Sequence, residues 1–151
     1  MKLAETLIKR GNLQKRIEGL KEKLIRYSRV QEGENPPENP EDIYKELKLN
    51  LDELINFIQR INKTNSKIMF DEKYSIADVL TYRDILLHNY KILYKVIESA
   101  TDIGDRYSKK EIKVLSSINV KGYQKEADKI SKEYRELDIK IQEKNWLIDL
   151  I

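Results

Sequence analysis

The chain has no cysteine, a single histidine, two phenylalanines, three prolines and five glycines among its 151 residues. Without cysteine, neither a disulfide framework nor a thiolate metal site can form, and nothing argues for secretion. One histidine, His88, is too few for the carboxylate-bridged di-iron centre that helical bundles build from paired Glu-x-x-His motifs, and the residue three before it is Ile85. Scarce Gly and Pro in a chain that is 36% charged and 40% hydrophobic is the profile of long helices rather than of a β-rich or disordered protein. G-x-G-x-x-G, G-x-x-x-x-G-K and a nucleophile elbow are all missing, so nucleotide-dependent chemistry and acyl transfer have nothing to stand on. No run approaches the roughly 18 apolar residues of a spanning helix, and the chain enters an amphipathic segment by Leu3 without the apolar stretch of a signal peptide. A cytoplasmic location without enzymatic activity, cofactor or metal is the expectation.

What is present is helical periodicity. From Val120, alternating steps of three and four meet Val120, Tyr123, Ala127, Ile130, Tyr134, Leu137, Ile141, Lys144, Ile148 and Ile151, a heptad seam in which only Lys144 is not apolar. Such a helix is built to lie along other helices. Upstream, Leu3, Leu7, Leu13, Ile17, Leu20, Leu24 and Tyr27 give the first helix an inward stripe, which Ile8 and Ile25 widen. The segment from Val30 to Asn39, with Gly33 and Pro36-Pro37, breaks the chain. Asn39 then offers an N-cap, Pro40 suits the first helical position, and Glu41 and Asp42 face the positive end of the helix dipole. The second helix carries Ile43, Leu47, Leu51, Leu54, Phe57, Ile58 and Ile61, a face broad enough to touch two neighbours. Asn62 to Asn65 is expected to close it. Ser75 and Asp78 have capping-box spacing ahead of a third helix on Ile76, Val79, Leu80, Leu86, Leu87, Tyr90, Leu93, Tyr94 and Ile97.

Two segments suggest β-structure. Lys67 to Tyr74 is too short for a helix and places strand formers around a polar tip, which predicts a small hairpin. Between Arg106 and Ile118 the signals conflict: Ser108 and Glu111 have capping-box spacing, whereas Ile112, Val114, Ser116 and Ile118 alternate in period two, which favours a strand over 111–118. The reading is thus a mostly α fold, an antiparallel long-helix (four-helix) bundle or coiled coil with short β segments. It forms a single helical domain over 1–151, with helices near 2–29, 40–65, 76–101 and 120–148.

Charge is uneven although the net is only +3. Residues 1–29 hold nine Lys or Arg against three Glu, and residues 30–60 hold eight acids against three bases. A basic first helix packed beside an acidic second one is one explanation, and a basic helix for nucleic acid or a membrane surface is the other. A polar set intrudes on the apolar stripes: Arg10, Gln14, Asn62, Asn65, Arg83, Asp84, Gln142 and Asn145. Either these residues fix register and oligomer state, or they line a ligand or partner pocket. In the first case Arg10 and Arg83 must each find a carboxylate or carbonyl partner. Trp146 is a candidate interface anchor, with a core tryptophan as the plain alternative.

The stretches Met1 to Leu24, Arg60 to Asn65, Arg106 to Lys113 and Ile141 to Leu150, in this order, are similar to an uncharacterised bacterial family often labelled septicolysin. The resemblance spans nearly the whole chain. It implies a small bacterial protein of unknown role, and the label implies a pore-forming cytolysin. From the residues themselves the expected function is a self-associating structural or protein-interaction module. Its partner would be a second copy, as a symmetric dimer joined by β pairing or helix seams, and an unidentified protein partner is left open. Binding of nucleic acid or membrane through the first helix, cytolysis included, is the alternative.

Overall fold

Four amphipathic segments become four long helices in the computed structural model, which describes residues 1–102 and 112–151. They are α1 (Leu3–Tyr27), α2 (Pro40–Lys67), α3 (Ile76–Thr101) and α4 (Val120–Leu147). The fold class is mostly α, built of four long helices. Helix starts follow the expected chemistry. The Asn39 side chain accepts a hydrogen bond from Glu41 N at 3.0 Å with Pro40 behind it, and Asn119 accepts from Gly122 N at 3.1 Å. Gly33, at φ 84, supplies the left-handed residue inside the turn that Glu34 N closes onto Gln31 O at 3.0 Å.

The described residues fall into two compact units. The first comprises Met1–Ser75 with Glu143–Ile151. Here α1 and α2 run antiparallel, since Lys23 pairs with Glu38 and, further back along α1, Arg16 pairs with Glu46. Leu20, Ile43 and Leu47 form a buried cluster between them, flanked by Leu24 and Tyr27. Residues 148–151 are tied by backbone hydrogen bonds to the start of α1 and by side-chain hydrogen bonds to α2. Leu3 N donates to Ile148 O and Leu150 N to Met1 O, each at 2.9 Å, around an antiparallel bridge between Lys2 and Asp149. On the other side Ile151 N donates to Thr64 Oγ1 at 3.0 Å and Arg60 Nε to Ile151 O at 3.2 Å.

The second unit is Ile76–Gln142. Tyr82 donates to Glu133 at 2.6 Å, while Ser99 and Ala100 border the same cavity as Ser116 and Ser117, so α3 and α4 also run antiparallel. Ile76, Val79, Leu86, Ala127, Ile130 and Ile141 are its buried apolar residues. The α4 seam is largely as expected: Ala127, Ile130, Ile141 and Ile148 are buried and Tyr134, Leu137 and Lys144 half-buried, whereas Tyr123 and Ile151 are exposed.

Four expectations need correction. The hairpin at 67–74 shrinks to a tight turn with one antiparallel bridge, Met69 to Ser75, because α2 continues through Asn65 to Lys67 and leaves too few residues for a ladder. No left-handed asparagine ends α2, and Ile68 caps it in extended conformation. Residues 112–118 form no strand, and Ile112, Val114 and Leu115 are exposed, since no strand edge is present among the described residues to pair with them. The capping-box pair Ser108 and Glu111, with the rest of the 106–111 stretch, lies outside the described residues. Finally, Ile8 and Ile25 do not widen the α1 core face but are exposed.

Candidate functional site

The polar residues of the apolar stripes do not assemble into one site. Arg83 does find partners: its Nη1 donates to Asp138 at 2.9 Å, and its Nη2 and Nε donate to Asp84 at 3.0 and 3.2 Å. Burial works against the guanidinium charge, and the hydrogen bonds to Asp84 and Asp138 outweigh it, so the pKa lies above its ordinary value. With Tyr82 bonded to Glu133 nearby, this is a polar lock between α3 and α4. Arg10 behaves differently. Its Nε is buried and has no hydrogen-bond partner among the described residues. Gln14, Asn62 and Gln142 are exposed, Asn65 is half-buried and Asn145 is buried. His88 and Asp84 are both exposed, and among the described residues no group of three or more His, Asp or Glu could hold a metal ion.

Three buried polar residues escaped the sequence reading: Thr6, Thr64 and Asn50. Each satisfies itself on its own helix. Thr6 Oγ1 donates to Lys2 O at 3.1 Å, Thr64 Oγ1 to Arg60 O at 2.9 Å and Asn50 Nδ2 to Glu46 O at 2.8 Å. A hydroxyl or amide that bonds back four residues can enter a core with part of its desolvation offset. Thr64 Oγ1 also accepts from Ile151 N, so it joins α2 to residues 148–151. The i−4 bond is no signal in the sequence, since the exposed Ser66, Thr81 and Thr101 make it as well.

Lys144, the one polar position in the α4 seam, donates to Phe70 O at 2.7 Å and lies 5.5 Å from the centre of the Phe70 ring. It thereby holds the turn after α2, whose other fastening is Asp71. That carboxylate accepts from Lys73 N at 2.8 Å and Tyr74 N at 2.7 Å, and these two backbone bonds lower its pKa. A shallow groove of about 350 Å³ between α1 and α2 is bordered by Lys9, Asn12 and Arg16 on one side and Asn50, Glu53 and Phe57 on the other. Its charges are mixed and Arg16 is already paired with Glu46 at 2.6 Å.

The feature that no internal contact explains is apolar. On α2, Ile43, Leu47 and Ile61 are buried, while Tyr44, Leu51, Ile55 and Ile58 remain 49%, 38%, 53% and 37% exposed. With Lys48 and Asn62 these residues follow 44, 48, 51, 55, 58, 62, alternating steps of four and three, which is a second heptad seam on the same helix. The α2 face is broad enough for two neighbours, and its outer half is left partly exposed. On α3, Tyr82, Ile85 and Ile92 are exposed at related spacing, and on α4 so are Ile139 and Trp146, seven residues apart. Trp146 is therefore not a core residue.

Among the described residues no helix is long and apolar enough to cross a membrane. No curated protein matches the chain. A solved structure does: a functionally unknown conserved protein from Corynebacterium diphtheriae is 38% identical, with a TM-score of 0.93 over 100% of this chain and 99% of that one. The family model described as a family of unknown function, DUF6847, matches residues 10–150, and the chain belongs to that family.

Proposed function

We propose that the protein is a cytoplasmic structural or protein-interaction module that associates with itself and carries out no catalysis of its own. The observation that supports this reading is the uncovered heptad seam of α2, because an amphipathic helix that exposes a second apolar stripe gains by burying it against another helix. Strand pairing between copies drops out of the reading, since residues 112–118 carry no strand. Helix seams take its place. Sedimentation equilibrium tests the reading: association at micromolar concentration is the expected result, and an 18.0 kDa monomer throughout that range would refute it.

The second reading is charge-driven binding of nucleic acid or a membrane surface through α1, with the cytolysin role implied by the resemblance as its extreme form. Its support is that Lys15, Arg26 and Arg29 are exposed and have no acidic partner among the described residues. Against it, Lys2, Arg16, Lys21 and Lys23 are each engaged by Asp149, Glu46, Glu18 and Glu38. Retention on RNA or on anionic liposomes at low salt that disappears as salt is raised would favour it, and no retention at low salt would remove it.

A further inference from the structure

We infer that the outer seam of α2 pairs antiparallel with the same seam of a second copy, about a twofold axis level with Glu53 and next to Asp52. The inference rests on the self-association reading above and adds the face, the orientation and the register.

The occupant follows from charge along the helix. The N-terminal end of α2 carries Glu41 and Asp42, and its C-terminal end carries Lys63 and Lys67. Two copies side by side in the same direction would set acid on acid at one end and base on base at the other. An antiparallel pair sets Glu41 and Asp42 of each copy beside Lys63 and Lys67 of the other, and it also opposes the two helix dipoles. Glu41 continues the seam one step before Tyr44 and Lys63 directly follows its last position, Asn62, so the antiparallel pair brings Glu41 of one copy near Lys63 of the other. The side chains of the seam suit the same arrangement. Aligning position 55 with 51 of the other copy places Ile55 over Leu51, and the same register brings Asn62 beside Tyr44, where the phenol has a polar partner. Leu51 and Ile55 then cover each other at the centre, and Ile58 lies against the methylene stem of Lys48. A polar residue within such a seam specifies register and orientation.

A self-complementary patch of this kind gives a closed twofold dimer rather than an open chain. The buried face of α2 stays in place, because Ile43, Leu47 and Ile61 are already covered within the first unit. Substitutions along the outer seam therefore spare the buried cluster of Leu20, Ile43 and Leu47, and their effect on the fold is read separately by circular dichroism.

The absence of cysteine from the chain permits clean cross-linking. The expected result is that Asp52→Cys, near the axis, gives a disulfide-linked dimer under mild oxidation. Lys63→Cys does not, since the two copies of that position lie about 30 Å apart at 1.5 Å per residue. Ile58→Cys linking to itself would indicate a parallel pair and overturn the inference, as would a dimer in which Asp52→Cys fails to link. In sedimentation, Leu51→Glu with Ile55→Glu, checked for retained helix by circular dichroism, should be monomeric. A dimer that survives this double change would overturn the α2 face while leaving self-association standing, whereas a monomeric unsubstituted chain would remove both. Glu41→Lys and Lys63→Glu should each weaken the dimer about tenfold, and the two together should restore it. Additive weakening instead of restoration would defeat the register.

Discussion

Arg83 in the second unit lies among carboxylates from α3 and α4, whereas Arg10 in the first unit buries its Nε with no hydrogen-bond partner among the described residues. Both interrupt an apolar helical stripe, and from spacing alone they are equivalent. The difference is what faces them. Asp138 lies in the half-buried band of α4 and Asp84 is adjacent in the chain, so the second unit offers Arg83 two acceptors. The first unit has its cross-helix ion pairs elsewhere, at Arg16–Glu46 and Lys23–Glu38, and offers Arg10 Nε no acceptor among the described residues. A long arginine can still contribute its methylene stem to packing, so its place in a seam does not require an ion pair.

The largest effects should come from the packing that both units share. Leu3→Ala in the first unit and Ile141→Ala in the second each remove a side chain that is 1% exposed, and each should cost about 2–5 kcal/mol in urea denaturation. A cost below about 1 kcal/mol at either position would show that its surroundings collapse into the space and are not close-packed.

The arginines themselves should part company next. Arg83→Met strips Asp138 of its cation and should cost about 1–2 kcal/mol, because a half-buried carboxylate is left with fewer partners. Arg10→Met keeps the apolar stem, removes a buried donor without a partner, and should be neutral or stabilising by up to about 1 kcal/mol. Equal losses on denaturant titration would erase the contrast.

The smallest effect separates a surface fastening from these interior ones. Asp71 accepts two backbone N–H bonds as a carboxylate, so its folded pKa is depressed below its unfolded value. Its contribution is therefore present above the unfolded pKa and is lost as pH falls through the folded one. Asp71→Ala should lower thermal stability slightly at neutral pH, and the difference from the unsubstituted chain should begin to close below about pH 4 and vanish below the folded pKa. A gap that persists unchanged at low pH would mean that the charge of Asp71 does not hold the turn.

By itself the sequence determined the helices, because their signals are local. Asn39-Pro40 starts α2, Asn119 caps α4, Gly33 with Pro36-Pro37 separates α1 from α2, and the α4 seam marks Ala127, Ile130, Ile141 and Ile148 for burial by spacing alone. It also pointed to two neighbours for α2, through the breadth of its apolar face. Only tertiary structure decided which half of that face is buried, since Leu47 and Leu51 look alike in the chain and differ only in what lies opposite them. The same holds for Arg10 and Arg83, and for the buried Thr6 and Thr64, whose hydroxyls count as polar in a pattern but are satisfied by carbonyls four residues back. The alternation in 112–118 misled for a related reason. Period two marks a strand only when another strand edge is there to complete its hydrogen bonds, and that is a property of the fold, not of the segment.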